Sequence, residues 1–199
     1  HVKILATTSG ETIHHIQKHN EWVTAIKFSP DAILLASGDR NGGLRVWETE
    51  TGLEFYELRA HTGAITALAW RRDGNVLASA SEDGQVRLWD MHQGNQVKNW
   101  QACGAGGLDI DYSRDGVIAT VGRDRQARIW DANGNAQREF RDFADLPTQC
   151  ILSHDGSRLF VGDWAGQVTV WSVVDGTRQG EFNANPPTLK ERVETASTE

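Results

Sequence analysis

Apolar and polar residues alternate over short stretches of this chain, and polar turns separate the stretches. Four of them end in a tryptophan, and these tryptophans are 42, 41 and 41 residues apart. The four stretches are "LRVW" (44–47), "VRLW" (86–89), "ARIW" (127–130) and "VTVW" (168–171). Alternation places successive side chains on opposite faces of an extended strand. The pattern therefore predicts β-strands, and no helical period fits between them.

Each period contains four predicted strands. In the second period they are "ITALAW" (65–70), "VLASAS" (76–81), "VRLWDM" (86–91) and "NQVKNWQ" (95–101). An aspartate marks one turn of every period, and these residues are Asp31, Asp73, Asp115 and Asp155, spaced 42, 42 and 40 apart. A period of about 40 residues with four strands is the sequence signature of a propeller blade. One blade cannot bury both of its faces alone, so neighbouring blades must stack.

The repeat register predicts the organisation of the chain. Residues 1–19 align with residues 43–61 at a shift of 42, which predicts the outer hairpin of a half-blade at 1–17. Four complete blades follow at about 20–59, 62–101, 104–142 and 145–183, so that one propeller segment spans 1–185. Residues 186–199 form a polar tail, in which "TLKE" (188–191) resembles a capping box and leaves a frayed tail or a short helix as alternatives.

These units resemble WD40 repeats, and "RLWD" (87–90) and "RIWD" (128–131) are their closest matches. The resemblance implies an all-β, WD40-type β-propeller with four complete four-stranded blades and an N-terminal half-blade. It also implies a ring with more blades than this chain provides, since propellers of this family are typically rings of seven or eight blades. We therefore expect a piece of a larger propeller, in the form of an open arc.

An open arc would leave apolar residues exposed at both ends. We expect Val2, Ile4 and Leu5 to be exposed at one end, and the residues at the other end to be Phe160, Val168 and Val170. Contiguous apolar patches of this kind usually find a partner. The expectation is self-association, or association with another propeller segment.

The resemblance further implies a hydrogen-bonded tetrad in each blade, made by a histidine, a serine or threonine, a turn aspartate and the tryptophan. The second blade has all four, as His61, Ser79, Asp83 and Trp89, and the first has His19, Ser37, Asn41 and Trp47. The third has Thr120, Asp124 and Trp130, with Cys103 in place of histidine. The fourth keeps only Trp171, so we expect a less regular or more mobile blade without an aspartate to anchor its turn.

Ser79 and His61, with a nearby aspartate, are also the residue types of a hydrolase triad. A nucleophilic serine must be exposed beside an oxyanion hole and a substrate pocket. Ser79 instead lies inside an alternating strand, without a GxSxG elbow around it. The same residue types recur in part at two other registers, which is typical of architecture. The sequence therefore predicts no catalytic residue.

Composition narrows the classes of ligand. The net charge is −7 and Lys and Arg do not cluster along the sequence, which disfavours nucleic acid. No apolar run is long enough to cross a bilayer, so no membrane partner is expected. Cys103 and Cys150 form neither a CxxC motif nor a disulfide framework, and the adjacent His14 and His15 point to opposite faces of a strand. We predict no metal and no cofactor.

The remaining candidates are rim residues. Four of them precede the turn aspartate or its replacement and a fifth follows His19; they are Arg40, Glu82, Arg123, Trp164 and Trp22. The resemblance places these positions where partners commonly bind. It implies a non-catalytic scaffold for protein–protein interaction. The alternative is an accessory propeller domain of a larger enzyme or redox protein whose catalytic part lies outside this chain.

Overall fold

The computed structural model describes residues 1–59 and 61–185, and these residues form an all-β structure of stacked antiparallel sheets. A two-stranded half-blade consists of β1 (Val2–Leu5) and β2 (Thr12–Ile16). Blade 1 consists of β3 (Val23–Phe28), β4 (Leu34–Asp39), β5 (Gly43–Glu48) and β6 (Glu54–Arg59). Blade 2 consists of β7 (Ile65–Trp70), β8 (Val76–Ser81), β9 (Gln85–Asp90) and β10 (Asn95–Gln101). Blade 3 consists of β11 (Gly107–Tyr112), β12 (Ile118–Gly122), β13 (Gln126–Trp130) and β14 (Ala136–Phe140). Blade 4 consists of β15 (Pro147–Leu152), β16 (Arg158–Asp163), β17 (Gln167–Ser172) and β18 (Arg178–Asn183).

The predicted all-β fold of repeated four-stranded units is confirmed. In each blade the strands pair in chain order, because every connection is a short turn between antiparallel neighbours. The predicted polar tail at 186–199 lies outside the described residues. Among residues 1–59 and 61–185, no helix is long and apolar enough to span a bilayer.

The turn between the second and third strands of a blade needs a left-handed residue. Gly42, Gly84 and Gly166 occupy this position with φ of 81°, and Arg125 takes it in blade 3 with φ of 61°. A Cβ on Gly84 would lie 2.4 Å from the carbonyl oxygen of Cys103, so glycine is required there for space as well as for conformation. Four of the five predicted rim residues lie in this turn, namely Arg40, Glu82, Arg123 and Trp164.

The core lies between the sheets, because each blade covers one apolar face of its neighbour. Val46 of blade 1 and Leu77 of blade 2 are both completely buried in one such layer. The innermost strands are also linked directly, since Trp70 Nε1 donates to the carbonyl of Lys27 over 3.0 Å. The blades therefore form one continuous stack in which their turns are held in register.

The half-blade packs tightly on blade 1. Val2 and Ile4 are 4% and 7% exposed, because with Ile16 they cover Leu35 and Trp47. The expectation that Val2 and Ile4 are exposed is wrong, since their side chains point towards blade 1. Leu5 points away from blade 1 and is half exposed.

The apolar surface at this end belongs instead to β3. Ile26 and Phe28 are 58% and 47% exposed, whereas Leu68 and Trp70 at the same register of blade 2 are 5% and 7% exposed. The two strands of the half-blade cover the outer part of blade 1 and leave its innermost strand open. At the other end, the three residues expected to be exposed are half-buried, namely Phe160, Val168 and Val170.

Candidate functional site: bracing networks and a rim surface

A chain of hydrogen bonds braces blade 2. Ser79 Oγ accepts the indole N–H of Trp89 over 2.9 Å and lies 2.7 Å from His61 Nε2. The other imidazole nitrogen, Nδ1, lies 2.9 Å from a carboxylate oxygen of Asp83. The arrangement is satisfied when the hydroxyl donates to Nε2 and Nδ1 donates to the carboxylate. Ser79 is completely buried, so no substrate can reach its hydroxyl.

Burial sets the charge state of this brace. Desolvation lowers the pKa of His61, although Asp83 opposes the shift. Burial acts to raise the pKa of Asp83, but hydrogen bonds from the amide of Gln85, from His61 and from the amide of Thr62 leave it below its usual value. A neutral imidazole therefore faces an ionised carboxylate near pH 7. This pair orients the strands and holds no reactive base beside an accessible nucleophile.

Blade 1 repeats the brace with a different carboxylate. Trp47 donates to Ser37 Oγ over 2.7 Å, and His19 Nε2 lies 2.7 Å from the same oxygen. His19 Nδ1 contacts Asp39 at 2.7 Å, so the assignment of Asn41 to this tetrad is wrong. Ser37 and Asp39 are two residues apart on β4 and share the face towards His19. Asn41 contributes its backbone N–H, which donates to a carboxylate oxygen of Asp39 over 3.0 Å.

The five predicted rim residues occupy two paired positions, one directly after the second strand of a blade and one directly before its first strand. The amide of each residue that begins the turn after the second strand donates over 2.9 Å to a carbonyl just before the first strand of its own blade. The four pairs are Arg40 with Trp22, Glu82 with Ala64, Arg123 with Gly106, and Trp164 with Leu146. In each pair the carbonyl lies where the first strand begins and the amide lies where the second strand ends. The structure thus brings all five predicted rim residues to the same end of the blades.

Large aromatic side chains stand at the two outer blades of this rim. Trp22 is 73% exposed and Trp164 is 78% exposed. The guanidinium carbon of Arg40 lies 5.5 Å from the centre of the Trp22 ring, which is within cation–π range. This stacking orients Trp22 while leaving most of its surface free.

The middle of the rim is lower and charged. Arg123 of blade 3 and Glu82 of blade 2 form an ion pair of 2.8 Å across the blade boundary. The partners of these two residues in the carbonyl bonds are Ala64 and Gly106, which add little bulk. The surface therefore has aromatic ends and a flatter polar centre. Sequence reasoning missed Ala64 and Gly106, although they lie 42 and 84 residues after Trp22 in the same register.

Comparisons with known proteins bear on this architecture. The family model described as "WD domain, G-beta repeat" matches residues 10–48 and 52–90. Residues 10–90 therefore contain two WD40 repeats. No curated protein sequence matches it.

Two similar solved structures share the fold of this chain. One is from "Crystal Structure of Mitotic Checkpoint Complex", with a TM-score of 0.83 and 20% identity, covering 90% of this chain and 59% of that one. The other is "Structure of U3-55K", with a TM-score of 0.77 and 16% identity, covering 84% of this chain and 53% of that one. The chain therefore spans between half and two thirds of the length of these structures, and the likeness is one of fold.

Blade 3 keeps part of the brace. Trp130 donates to Thr120 over 2.9 Å, and Asp124 accepts the amide of Gly104 over 2.8 Å. Cys103 takes the place of the histidine, and burial raises the pKa of its thiol to about 11. Arg128 approaches Asp124 at 2.8 Å, so this carboxylate pairs with a guanidinium instead of the imidazole found in blades 1 and 2.

Blade 4 is anchored by residues that sequence reasoning missed. The indole of Trp171 donates to Thr169 over 2.9 Å. Asp163 accepts the amides of Asp145 over 3.1 Å and of Gln167 over 2.9 Å, so the expectation that this turn lacks an aspartate is wrong. Asp163 has the same strand-end register as Asp39. A search for aspartate at the end of the second strand, as well as in the turn, would have found both residues.

Proposed function

We propose that this chain is a non-catalytic platform for protein–protein interaction and that the rim surface is its docking site. The rim surface consists of Trp22, Arg40, Glu82, Arg123 and Trp164. The observation that carries the proposal is the pair of exposed tryptophans, Trp22 of blade 1 and Trp164 of blade 4, which lie at the same end of the two outer blades. A large exposed indole costs solvation free energy and offers a large apolar area to a partner.

The polarity of the rim supports a protein as the partner. Interface cores are enriched in tryptophan and arginine, and they are surrounded by polar groups that form hydrogen bonds. Trp22 with Arg40 forms one such anchor, and the Arg123–Glu82 pair supplies both charge signs between the anchors. A surface with both signs fits a protein better than a polyanion, which requires clustered cations.

The similar structures point in the same direction. One of them was solved as part of the mitotic checkpoint complex, so a chain with this fold is found there in a multiprotein assembly. At 20% sequence identity, this similarity does not indicate which protein the present chain binds. The support is therefore for a protein partner as a class.

The test is a quantitative capture experiment with a matched control. The wild-type chain, the rim variant Trp22→Ala/Trp164→Ala and the control variant Leu53→Ala/Val174→Ala are each tagged and used to isolate proteins from the source cells. Leu53 and Val174 are 66% and 75% exposed, and they lie in turns at the other end of the strands. Each captured protein is then purified and titrated directly against the three chains.

We expect a captured partner to bind the wild-type chain and the control alike. The rim variant should bind roughly tenfold or more weakly, since loss of one hot-spot tryptophan typically costs over about 2 kcal/mol. Equal affinity for the rim variant would contradict the proposal. Melting curves of the three chains show that any loss is not caused by unfolding.

A further inference from the structure

A second surface lies at the end of the blades opposite the rim, in the turns between first and second strands. In each blade one residue there directly precedes the turn aspartate, and the four are Pro30, Arg72, Arg114 and His154. They are 42, 42 and 40 residues apart, so three consecutive blades present a basic side chain at one register. We call Arg72, Arg114 and His154 the turn-face cluster.

The turn-face cluster converges in space. Arg72 Nη1 lies 3.3 Å from His154 Nε2, although Arg72 belongs to blade 2 and His154 to blade 4. Arg114 of blade 3 lines the same recess as these two residues. Two side chains from non-adjacent blades can meet only where the turns approach the centre of the arc. The three basic groups therefore share one small surface.

The charge of this cluster is not neutralised by its own turns. The neighbouring Asp73 pairs with Arg71 at 2.7 Å, and Asp155 accepts hydrogen bonds from the hydroxyls of Ser153 and Ser157. Within residues 1–59 and 61–185, neither Arg72 nor Arg114 has a carboxylate oxygen within 4.0 Å. Both are exposed. Two free guanidinium groups thus stand together in a chain whose net charge is −7.

The surface around the cluster is concave and partly apolar. One recess of about 250 Å³ lies beneath the three basic groups, and its walls include the side chains of Trp70, Tyr112 and Leu152. A second, open recess of about 590 Å³ shares Arg72 and Arg114 and extends to Ala132, and its walls also include Asp73 and Asp115. The two arginines therefore stand between two hollows, one of which has aromatic walls. An ion alone would leave the aromatic recess unused.

We propose that the turn-face cluster binds an extended acidic peptide segment of a partner protein. Its carboxylates would pair with Arg72 and Arg114, which can each hold a carboxylate with two parallel hydrogen bonds. An apolar side chain next in sequence would enter the recess beside Trp70 and Tyr112. The remainder of the chain is acidic and would repel a long polyanion, which favours a short acidic segment over nucleic acid. This site is separate from the rim surface and does not depend on it.

The test uses a defined probe with the whole chain. The probe is a fluorescein-labelled nine-residue peptide in which glutamate alternates with leucine, and its control has glutamine in place of glutamate. Binding is followed by fluorescence anisotropy for the wild-type chain and for Arg72→Glu/Arg114→Glu at roughly 0.15 M salt, where the Debye length is about 8 Å. Lys3→Glu/Lys18→Glu is the matched control, because it makes the same change in net charge on exposed residues of the half-blade end.

We expect saturable binding of the acidic peptide to the wild-type chain, with affinity reduced roughly tenfold or more in the Arg72→Glu/Arg114→Glu variant, since both charge-assisted contacts become repulsive. The lysine variant should stay within about twofold of the wild type, because remote exposed charges are largely screened. Arg72→Ala/Arg114→Ala serves as a milder pair if the reversal of charge disturbs folding. The rim variant Trp22→Ala/Trp164→Ala should bind the peptide as the wild type does.

Several outcomes would overturn the assignment. They are absence of binding to the wild-type chain, equal affinity for the glutamine peptide, and equal loss in the arginine and lysine variants. Vesicles that contain phosphatidylserine form a further arm. Binding to those vesicles that requires Arg72 and Arg114, with no binding of the peptide, would assign the cluster to a membrane surface instead.

Discussion

Ser79 lies between two partners, since it accepts the indole N–H of Trp89 over 2.9 Å and faces His61 Nε2 at 2.7 Å. The hydroxyl is completely buried, so water cannot replace either contact. Blade 1 contains the same arrangement around Ser37. The hydroxyl is therefore the central group of the brace, and its removal leaves two buried polar groups without a partner.

We predict that Ser79→Ala lowers the free energy of unfolding by about 1–3 kcal/mol, the usual cost of leaving buried polar groups unpaired. Urea denaturation followed by tryptophan fluorescence measures the change. Thr8→Ala is the control, because Thr8 is exposed. A variant with the midpoint of the parent would show that the brace contributes nothing to stability. Ester hydrolysis by the parent that is lost in this variant would contradict the non-catalytic interpretation.

We predict that Leu68→Ala costs about 2–5 kcal/mol of unfolding free energy, the usual range for a buried leucine. Ile26→Ala at the same register should cost less than about 1 kcal/mol, as is usual for exposed positions. The reason is burial, since Leu68 is 5% exposed against blade 1 and Ile26 is 58% exposed. Parallel denaturation curves provide the comparison, recorded at protein concentrations low enough to keep the chain monomeric. Equal losses would mean that Ile26 is covered in solution.

We predict that the ionisation of Asp109 lowers stability as pH rises from about 4 to about 6. Burial raises the pKa of this carboxyl from 3.8 to about 6, although the amide of Cys150 donates to it over 2.8 Å. In this window the native state keeps a proton that the unfolded state has lost, so raising the pH favours unfolding. The full effect is at most about 2–3 kcal/mol, the equivalent of a shift of about two pKa units.

The measurement compares the wild type with Asp109→Asn between pH 4 and pH 7. Asparagine can still accept the amide of Cys150, but it has no proton to lose, so its curve should be flatter in this window. Asp115→Asn, at an exposed turn position, is the control. Parallel curves for the wild type and Asp109→Asn would contradict the prediction. The neighbouring Asp111, whose pKa burial also raises, would add to the slope in all three proteins.

We predict that the chain associates with itself or with another propeller segment through β3, the exposed innermost strand of blade 1. Ile26 and Phe28 are 58% and 47% exposed beside each other on one face of β3, and apolar patches of this kind are usually covered. Light scattering at tens of micromolar should report a mass above 22.0 kDa. The double variant Ile26→Thr/Phe28→Thr should shift the mass towards the monomer. A stable wild-type monomer that does not aggregate would contradict the prediction.

The repeat and its strands could be predicted because they depend on local pattern. Alternation places successive side chains on opposite faces of a strand, and the recurring Trp47, Trp89, Trp130 and Trp171 set the period. The same register located the brace of blade 2 completely, since its four residues keep the spacing typical of the family. It also predicted the five rim residues, which the structure places at one end of the blades.

Tertiary structure decided which atoms meet. His19 contacts Asp39 at the end of the second strand and not Asn41 in the turn. A side chain from either place can approach the same imidazole nitrogen, so spacing along the sequence does not distinguish the two. Ile26 and Leu68 share a register but differ in exposure, because burial depends on the strands of the preceding blade. Arg72 and His154 are 82 residues apart and meet only because stacking brings their turns together. The sequence by itself determined the repeating unit, since the unit is stabilised by local pairing. The contacts between units depend on how the blades curve around one another, and that curvature exists only in the assembled stack.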